Sequence, residues 1–204
     1  MVKTINLSVP MTQEDALGLH AGDIVRISGS IVTARDRVHK FLAEQKPSPE
    51  SFAESLPFPL SGTILYHCGP IMKRTGDGFT VIAAGPTTSM RVEMYEPAVI
   101  RDYQIRGVMG KGGMGDKTRQ ALKDHGCVYM NAIGGAAVYL ADRITKVLGV
   151  WKLEEFGLAE AMWQLEVRDF PAIVTMDAHG NDIHRDIEER SSIRFREIIG
   201  AARD

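Results

Sequence analysis

Apolar, β-branched runs alternate with amphipathic ones along the chain. The runs "DIVRISGSIVTA" (23–34), "TILYHC" (63–68), "FTVIAA" (79–84), "IRGVMG" (105–110) and "CVYMNA" (127–132) have the composition and the Gly or Pro boundaries of strands. Between them, "ARDRVHKFLAEQ" (34–45) spaces Val38, Phe41 and Leu42 along one helical face, and "DKTRQALKDHG" (116–126) closes on a glycine where a helix ends. The tail "DIHRDIEERSSIRFREIIGAA" (182–202) sets Ile183, Ile187, Phe195, Ile198 and Ile199 near helical spacing and predicts a closing helix. Late in the chain, "WQLEVRDFPAIVTMD" (163–177) predicts two strands around Pro171, because proline removes a ladder donor. That order is not a clean Rossmann repeat, so the expected fold is α/β with a mixed central sheet. The stretch 43–62, "AEQKPSPESFAESLPFPLSG", holds four of the nine prolines and predicts a long surface crossing. There is no internal repeat or low-complexity tract, and 204 residues suit a single domain spanning 1–204.

Composition narrows the class. Hydrophobic residues make up 44% and charged residues 25%, as in ordinary globular proteins, and the net charge is −2 from 24 basic and 26 acidic residues. Such a balance leaves no electrostatic footprint for nucleic acid or for an anionic membrane. No apolar run approaches the roughly 18 residues of a membrane span, and the opening "MVKTINLSVPMTQED" lacks the apolar stretch of a signal peptide, so a cytoplasmic location is expected. The two cysteines, Cys68 and Cys127, lie far apart with no C-x-x-C partner and read as reduced, half-buried thiols. They are too few to ligate zinc or an iron–sulfur cluster without another chain.

Three loops carry candidate chemistry. In "GPTTSMR" (85–91), a strand leaves through Gly-Pro into Thr87, Thr88 and Ser89, which suits a helix N-terminus cradling an anion, with Arg91 gripping a carboxylate; a plain N-cap cluster is the alternative. In "GKGGMGDKT" (110–118), four glycines free the backbone and Lys111 supplies a point charge. A P-loop requires lysine directly after the second glycine, but Gly115 is followed by Asp116, so nucleotide binding is disfavoured against an anion loop or a tight turn. In "TARDRVHK", Arg35 follows a strand, His39 lies one helical turn on, and Arg35 and Arg37 cannot both point inward. The glycines of "NAIGGAAVYLA" (131–141) predict close helix–sheet packing, and His67, His125, His179 and His184 read as structural. Three cationic loops in a neutral chain suit a small di-acid better than a polyanion.

With these motifs in order, "GPTTSMR", "GKGGMG", "GGAA" and "FPAIVTMDAHGN", the chain resembles the β subunit of the iron–sulfur-dependent class I fumarate hydratases and L(+)-tartrate dehydratases, or the C-terminal domain of their single-chain members. The likeness extends from "GDIVRISGSIVTARD" through "HGN". It implies a swivelling β/β/α domain and reversible hydration across C2–C3 of a C4 dicarboxylate. It also implies a [4Fe–4S] cluster held by a partner α subunit and an α2β2 heterotetramer, whose isolated β chain would pair with itself. By the same resemblance Thr87 is the catalytic base, Arg35, Arg91 and Lys111 bind substrate carboxylates, and Thr88 and Gly112 complete the binding set. Fumarate and malate are the first expectation and tartrate the second. A standalone dicarboxylate-binding module is the alternative from another class. The chain departs from many relatives at Val92, where they carry methionine ahead of the acidic residue, and Ser89-Met90 lies at a variable position lining the approach to the site.

Overall fold

The run Ile24–Thr33 forms the longest parallel-paired strand, β2, with Val25 and Ile27 buried and Arg26 outward, as period-two alternation requires. The computed structural model describes residues 4–45, 58–76 and 78–201. In chain order the elements are β1 (Thr4–Val9), α1 (Gln13–Leu17), β2, α2 (Asp36–Gln45), β3 (Ile64–Tyr66), β4 (Ile71–Thr75), β5 (Gly78–Ala83), a 3-10 turn (Ser89–Val92) and α3 (Glu96–Tyr103). There follow β6 (Gly107–Gly110), α4 (Asp116–His125), β7 (Val128–Asn131), α5 (Ala137–Ala141), β8 (Ile144–Trp151), α6 (Leu153–Phe156), β9 (Met162–Met176) and α7 (Ile183–Ala201).

The main sheet is mixed, in the order β1-β2-β3-β6-β7-β9-β8, and β9 also pairs with β2. That extra pairing closes β2, β3, β6, β7 and β9 into a ring whose first four strands are parallel and whose fifth is antiparallel to both neighbours. Closure depends on β2 changing neighbours: residues 24–29 pair with β1, and Val32 and Thr33 pair with β3. The change falls beyond Gly29, at φ 116°, where an added Cβ would stand 2.3 Å from the Val9 carbonyl oxygen. Only glycine fits there. Alternation then sends side chains to two cores. Ile27, Ile31, Tyr66, Met109 and Trp163 share one, and Val38, Leu42, Leu65, Val108 and Leu122 pack in the other beneath α2, α3 and α4.

Two expectations are corrected here, and a third, the closing helix, is borne out. Pro171 does not divide two strands; it lies within continuous β9, opposite Arg26 of β2. Its other edge is free of strands, because pairing with β8 ends at Val167 and pairing with β7 begins at Ile173, so no ladder bond is lost. The tail does form a helix, but Ile187, Ile193, Phe195 and Ile198 of α7 are more than half exposed and close no core. Both cysteines are fully buried rather than half-buried, in separate cores. Residues 46–57 of the expected surface crossing lie outside the described residues, and its end, Phe58 and Leu60, is buried.

Candidate active site

Because β2, β3, β6 and β7 run parallel, their carboxyl ends lie together, and the three cationic loops singled out above lie at that edge, whereas "DAHGN" follows antiparallel β9 and is bonded back to Ala21, ahead of β2. Arg35 follows β2, His67 follows β3, Lys111 follows β6 and Asn131 ends β7. The segment after β5 returns to this edge and wedges between the ends of β3 and β6. The Thr87 amide donates to the His67 carbonyl at 2.7 Å, the Lys111 amide donates to the Thr87 carbonyl at 3.2 Å, and the Ser89 amide donates to the Lys111 carbonyl at 3.0 Å. Thr88 and Lys111 thereby form a parallel bridge. The Thr87 hydroxyl donates to the same His67 carbonyl at 3.0 Å, which fixes its rotamer.

These bonds overturn one expectation. "GPTTSMR" does not open a helix with free N–H groups; the amides of Thr87 and Ser89 are committed, and only a four-residue 3-10 turn follows. The cradle for an anion is also filled at α4, where Glu93 accepts from the amides of Gly115 (2.8 Å) and Thr118 (3.1 Å) and from the Thr118 hydroxyl (2.6 Å). A carboxylate of the chain itself occupies the place that a nucleotide phosphate needs. Nor do the glycines of "IGGAA" serve helix–sheet packing: Gly134 and Gly135 are exposed, and Gly134 lies beside the Lys111 side chain, 4.0 Å from Cδ to its ideal Cβ position.

The cations converge through an acid. Asp36 binds Arg91 at 3.1 Å and lies 4.0 Å from Arg35, which also pairs with Glu160 at 3.3 Å. Arg37 turns away to the Glu155 carbonyl. Lys111 is exposed, and Gly112 donates its amide to Asn131 at 3.3 Å. Exposed ion pairs contribute about 0–1 kcal/mol, so an incoming anion can displace Asp36 from Arg91 at little cost. Thr87, Thr88, Lys111, Gly112, Arg35 and Arg91 are thus gathered at one open edge. A cleft of about 770 Å³ adjoins it, lined by Met90, Gly112 and Met114 on one side and by Arg185, Glu189 and Ile193 of α7 on the other. His125 and His179 lie elsewhere: the His125 backbone carbonyl accepts from Arg106, and the His179 ring stacks on His20.

Beneath this edge lies a buried cluster. Both His39 Nε2 and His67 Nε2 reach the same oxygen of Glu96, at 2.9 and 3.0 Å. His39 Nδ1 faces the Arg35 carbonyl at 2.8 Å, and His67 Nδ1 faces the Ser89 hydroxyl at 2.9 Å, which meets the Tyr129 hydroxyl at 2.8 Å. Among the described residues this is the one group of His, Cys, Asp or Glu side chains close enough to share an ion; His67 is hydrogen-bonded through both ring nitrogens, while His39 Nε2 and Glu96 Oε1 have no hydrogen-bond partner. Burial pushes the Glu96 carboxyl up, but the two histidines outweigh it and hold its pKa at about 2. Burial pushes both histidines down; for His39 the Glu96 carboxylate reverses this and raises it, whereas His67 stays lowered. Glu96 is therefore held as a carboxylate, and a proton is favoured on His39 over His67.

A pH dependence of stability follows. Glu96 is depressed in the fold, so its contribution is present above the ordinary value of 4.5 and is lost as pH falls towards about 2. His39 is raised, so its contribution is complete below the ordinary 6.5 and is lost as pH rises through the folded value. Urea midpoints measured from pH 5 down to pH 2 should fall, and the Glu96→Gln variant should flatten that fall. An equal acid slope in both proteins would remove Glu96 as its source.

Nothing local in the sequence marks Asp36, Glu93, Glu96 or Glu160 as partners in these loops, apart from the adjacency of Asp36 to Arg35 in "TARD". Burial pushes the Cys68 thiol up to about 12 and Cys127 well above its usual range. With both thiols buried, protonated and in separate cores, the described residues do not form the ligand set of an iron–sulfur cluster.

The sequence matches the family described as Fumarase C-terminus over residues 1–187. It is 53% identical over 190 residues to a protein of Geobacillus stearothermophilus provisionally named fumarate hydratase class I, covering 93% of this chain but only 35% of that relative. It is 41% identical to a Methanocaldococcus jannaschii protein provisionally named L(+)-tartrate dehydratase subunit beta, covering 93% of this chain and 96% of the relative. To the L(+)-tartrate dehydratase subunit beta of Escherichia coli K12 it is 34% identical, over 87% and 85% of the two chains.

Proposed function

The chain belongs to the fumarase C-terminus family, and from that premise we propose that it is the β-type subunit of a hydro-lyase acting on C4 dicarboxylates. Fumarate and (S)-malate are its first substrates: water adds as hydroxyl at C2 and proton at C3, and dehydration reverses both. The observation that supports this reading is the bridge of Thr88 with Lys111, which brings the backbone next to Thr87, whose hydroxyl is fixed by the His67 carbonyl, against the loop that carries Lys111. Thr87 acts as the base that takes the C3 proton. Its hydroxyl is a poor base at its ordinary pKa, and the neighbouring cations favour its alkoxide. Arg91 and Lys111 grip the carboxylates and stabilise the charge that gathers on one of them as the proton leaves, Arg35 adds a further contact, and Thr88 and Gly112 line the substrate.

The site lies at an open edge, so a partner α subunit completes it and excludes water. This chain supplies no cluster ligands, and the [4Fe–4S] cluster belongs to that partner. The chain acts as one domain of the swivelling β/β/α type, supported by its closed ring with helices outside, in a cytoplasmic α2β2 assembly. No described helix is long and apolar enough to cross a membrane.

L(+)-tartrate is the second reading, supported by the names of the Methanocaldococcus jannaschii and Escherichia coli relatives, 41% and 34% identical, against the 53% identical relative provisionally named fumarate hydratase. Anaerobic co-expression with a candidate α subunit, followed by assays with fumarate, malate and L(+)-tartrate, separates the two. Turnover of none by a stable complex, with tight malate binding by the isolated chain, would instead mark a binding module. In the active complex Arg91→Ala should raise KM or lower kcat/KM by about 10- to 100-fold, the loss of one charged contact, with kcat changed less. Unchanged kcat/KM would remove Arg91 from the substrate clamp.

A further inference from the structure

We propose that the buried His39–Glu96–His67 cluster is the positioning element of this site, one carboxylate on α3 that holds the backbone and side chains carrying Arg35, Thr87 and Ser89 in register from below. The roles of Arg35 and Thr87 in this proposal rest on the function proposed above; the positional claim rests on the contacts. Glu96 opens α3 but is fully buried, and each histidine reaches from it to a different loop. His39, on α2, returns to the Arg35 carbonyl, which accepts both its backbone amide (2.9 Å) and its ring (2.8 Å). His67, beyond β3, offers the carbonyl that receives the amide and hydroxyl of Thr87, and its ring meets Ser89. From Glu96 to the Thr87 hydroxyl the path is one side chain and one carbonyl.

The proton positions follow from the partners. Both nitrogens of His39 face acceptors, the Arg35 carbonyl and Glu96, so both carry hydrogen, although the contact to Glu96 is too bent for a hydrogen bond and is held by charge. His67 donates through Nε2 to Glu96, which leaves Nδ1 to accept from Ser89, whose oxygen then accepts from Tyr129. Donation runs one way, from β7 through the loop to α3, and neither ring can turn without losing a partner.

Stability alone does not account for such a cluster. A buried ion pair is often no more stabilising than apolar side chains of the same volume, and Glu96 Oε1 has no hydrogen-bond partner among the described residues. What a carboxylate between two imidazoles supplies, and an apolar cluster does not, is fixed direction. Gly110 supports this reading: it leaves the space in which Ser89 and His67 meet.

The test is Glu96→Gln, which keeps the shape and removes the charge. Hydrogen exchange on the full chain should show the Thr87 amide exchanging at least about tenfold faster while buried β2 amides keep their rates. In the complex with its α subunit, kcat should fall at least about tenfold with KM within about twofold, since displacement of a reacting group by even 1 Å is expressed in turnover. Uniformly faster exchange, or an unchanged Thr87 amide, overturns the proposal in favour of a purely stabilising cluster. If the variant does not fold, Ser89→Ala removes only the upper link and should quicken Thr87 exchange about threefold; no change there overturns it equally. If the wild-type complex turns over no dicarboxylate, the functional reading fails, and the exchange data still decide the positional claim.

Discussion

Thr87→Ala should lower kcat of the reconstituted complex by about 10²- to 10⁴-fold, the range expected when a general base is removed, while the subunits still assemble. The geometry separates chemistry from structure at this residue. The methyl group of alanine loses the 3.0 Å bond from the hydroxyl to the His67 carbonyl, but that carbonyl keeps the Thr87 amide at 2.7 Å, and the Thr87 carbonyl keeps the Lys111 amide. Stability should therefore change by no more than about 1 kcal/mol. Thr87→Ser retains the hydroxyl and should retain most of the activity. Turnover by Thr87→Ala within tenfold of wild type would take the proton-abstracting role away from this hydroxyl, and a large loss of stability would mean that the tether to His67 is structural first.

Gly110→Ala is expected to lower stability strongly. A Cβ at this position would stand 2.0 Å from Ser89 Oγ and 3.1 Å from His67 Nδ1. The serine oxygen can rotate aside, but only by abandoning both His67 and Tyr129, which leaves buried polar groups unpaired. Overpacking and the lost bonds together should destabilise the chain by about 3 kcal/mol, or roughly 10 °C in Tm for a chain of this size. The double variant Gly110→Ala/Ser89→Ala makes room for the new methyl group and should recover part of that loss. A double variant less stable than Gly110→Ala alone would show that the collision lies elsewhere.

Much of this fold is legible in the residue pattern, because β-branched runs bounded by glycine and proline specify strands by local sterics. The misreadings share one origin, namely neighbours that sequence does not display. Pro171 suggests a strand break only to a reader who cannot see that one edge of β9 is free there. The hydroxyl run of "GPTTSMR" suggests a helix N-terminus because its real partners, His67 and Lys111, are about twenty residues away on either side. In the site, the cations were visible as charges in glycine-rich loops, whereas the acids that organise them were not. Glu96 is the sharpest case: an acidic residue ahead of proline in a first helical turn looks like a solvated partner of the helix dipole, and nothing local tells of two histidines above it. His39 and His67 were each read singly, and each gains its meaning only through the other.

The closed ring has a consequence for how the chain is made. Ile24 of β2 pairs with Ile173 of β9, so the bond that completes the ring joins residues near opposite ends of the sequence. Until β9 leaves the ribosome, β2 and β7 both present bare edges, and the cationic loops hang from a sheet that is still open. Such long-range closure slows folding and prolongs the exposure of sticky strands, which makes the nascent chain a natural client for chaperones.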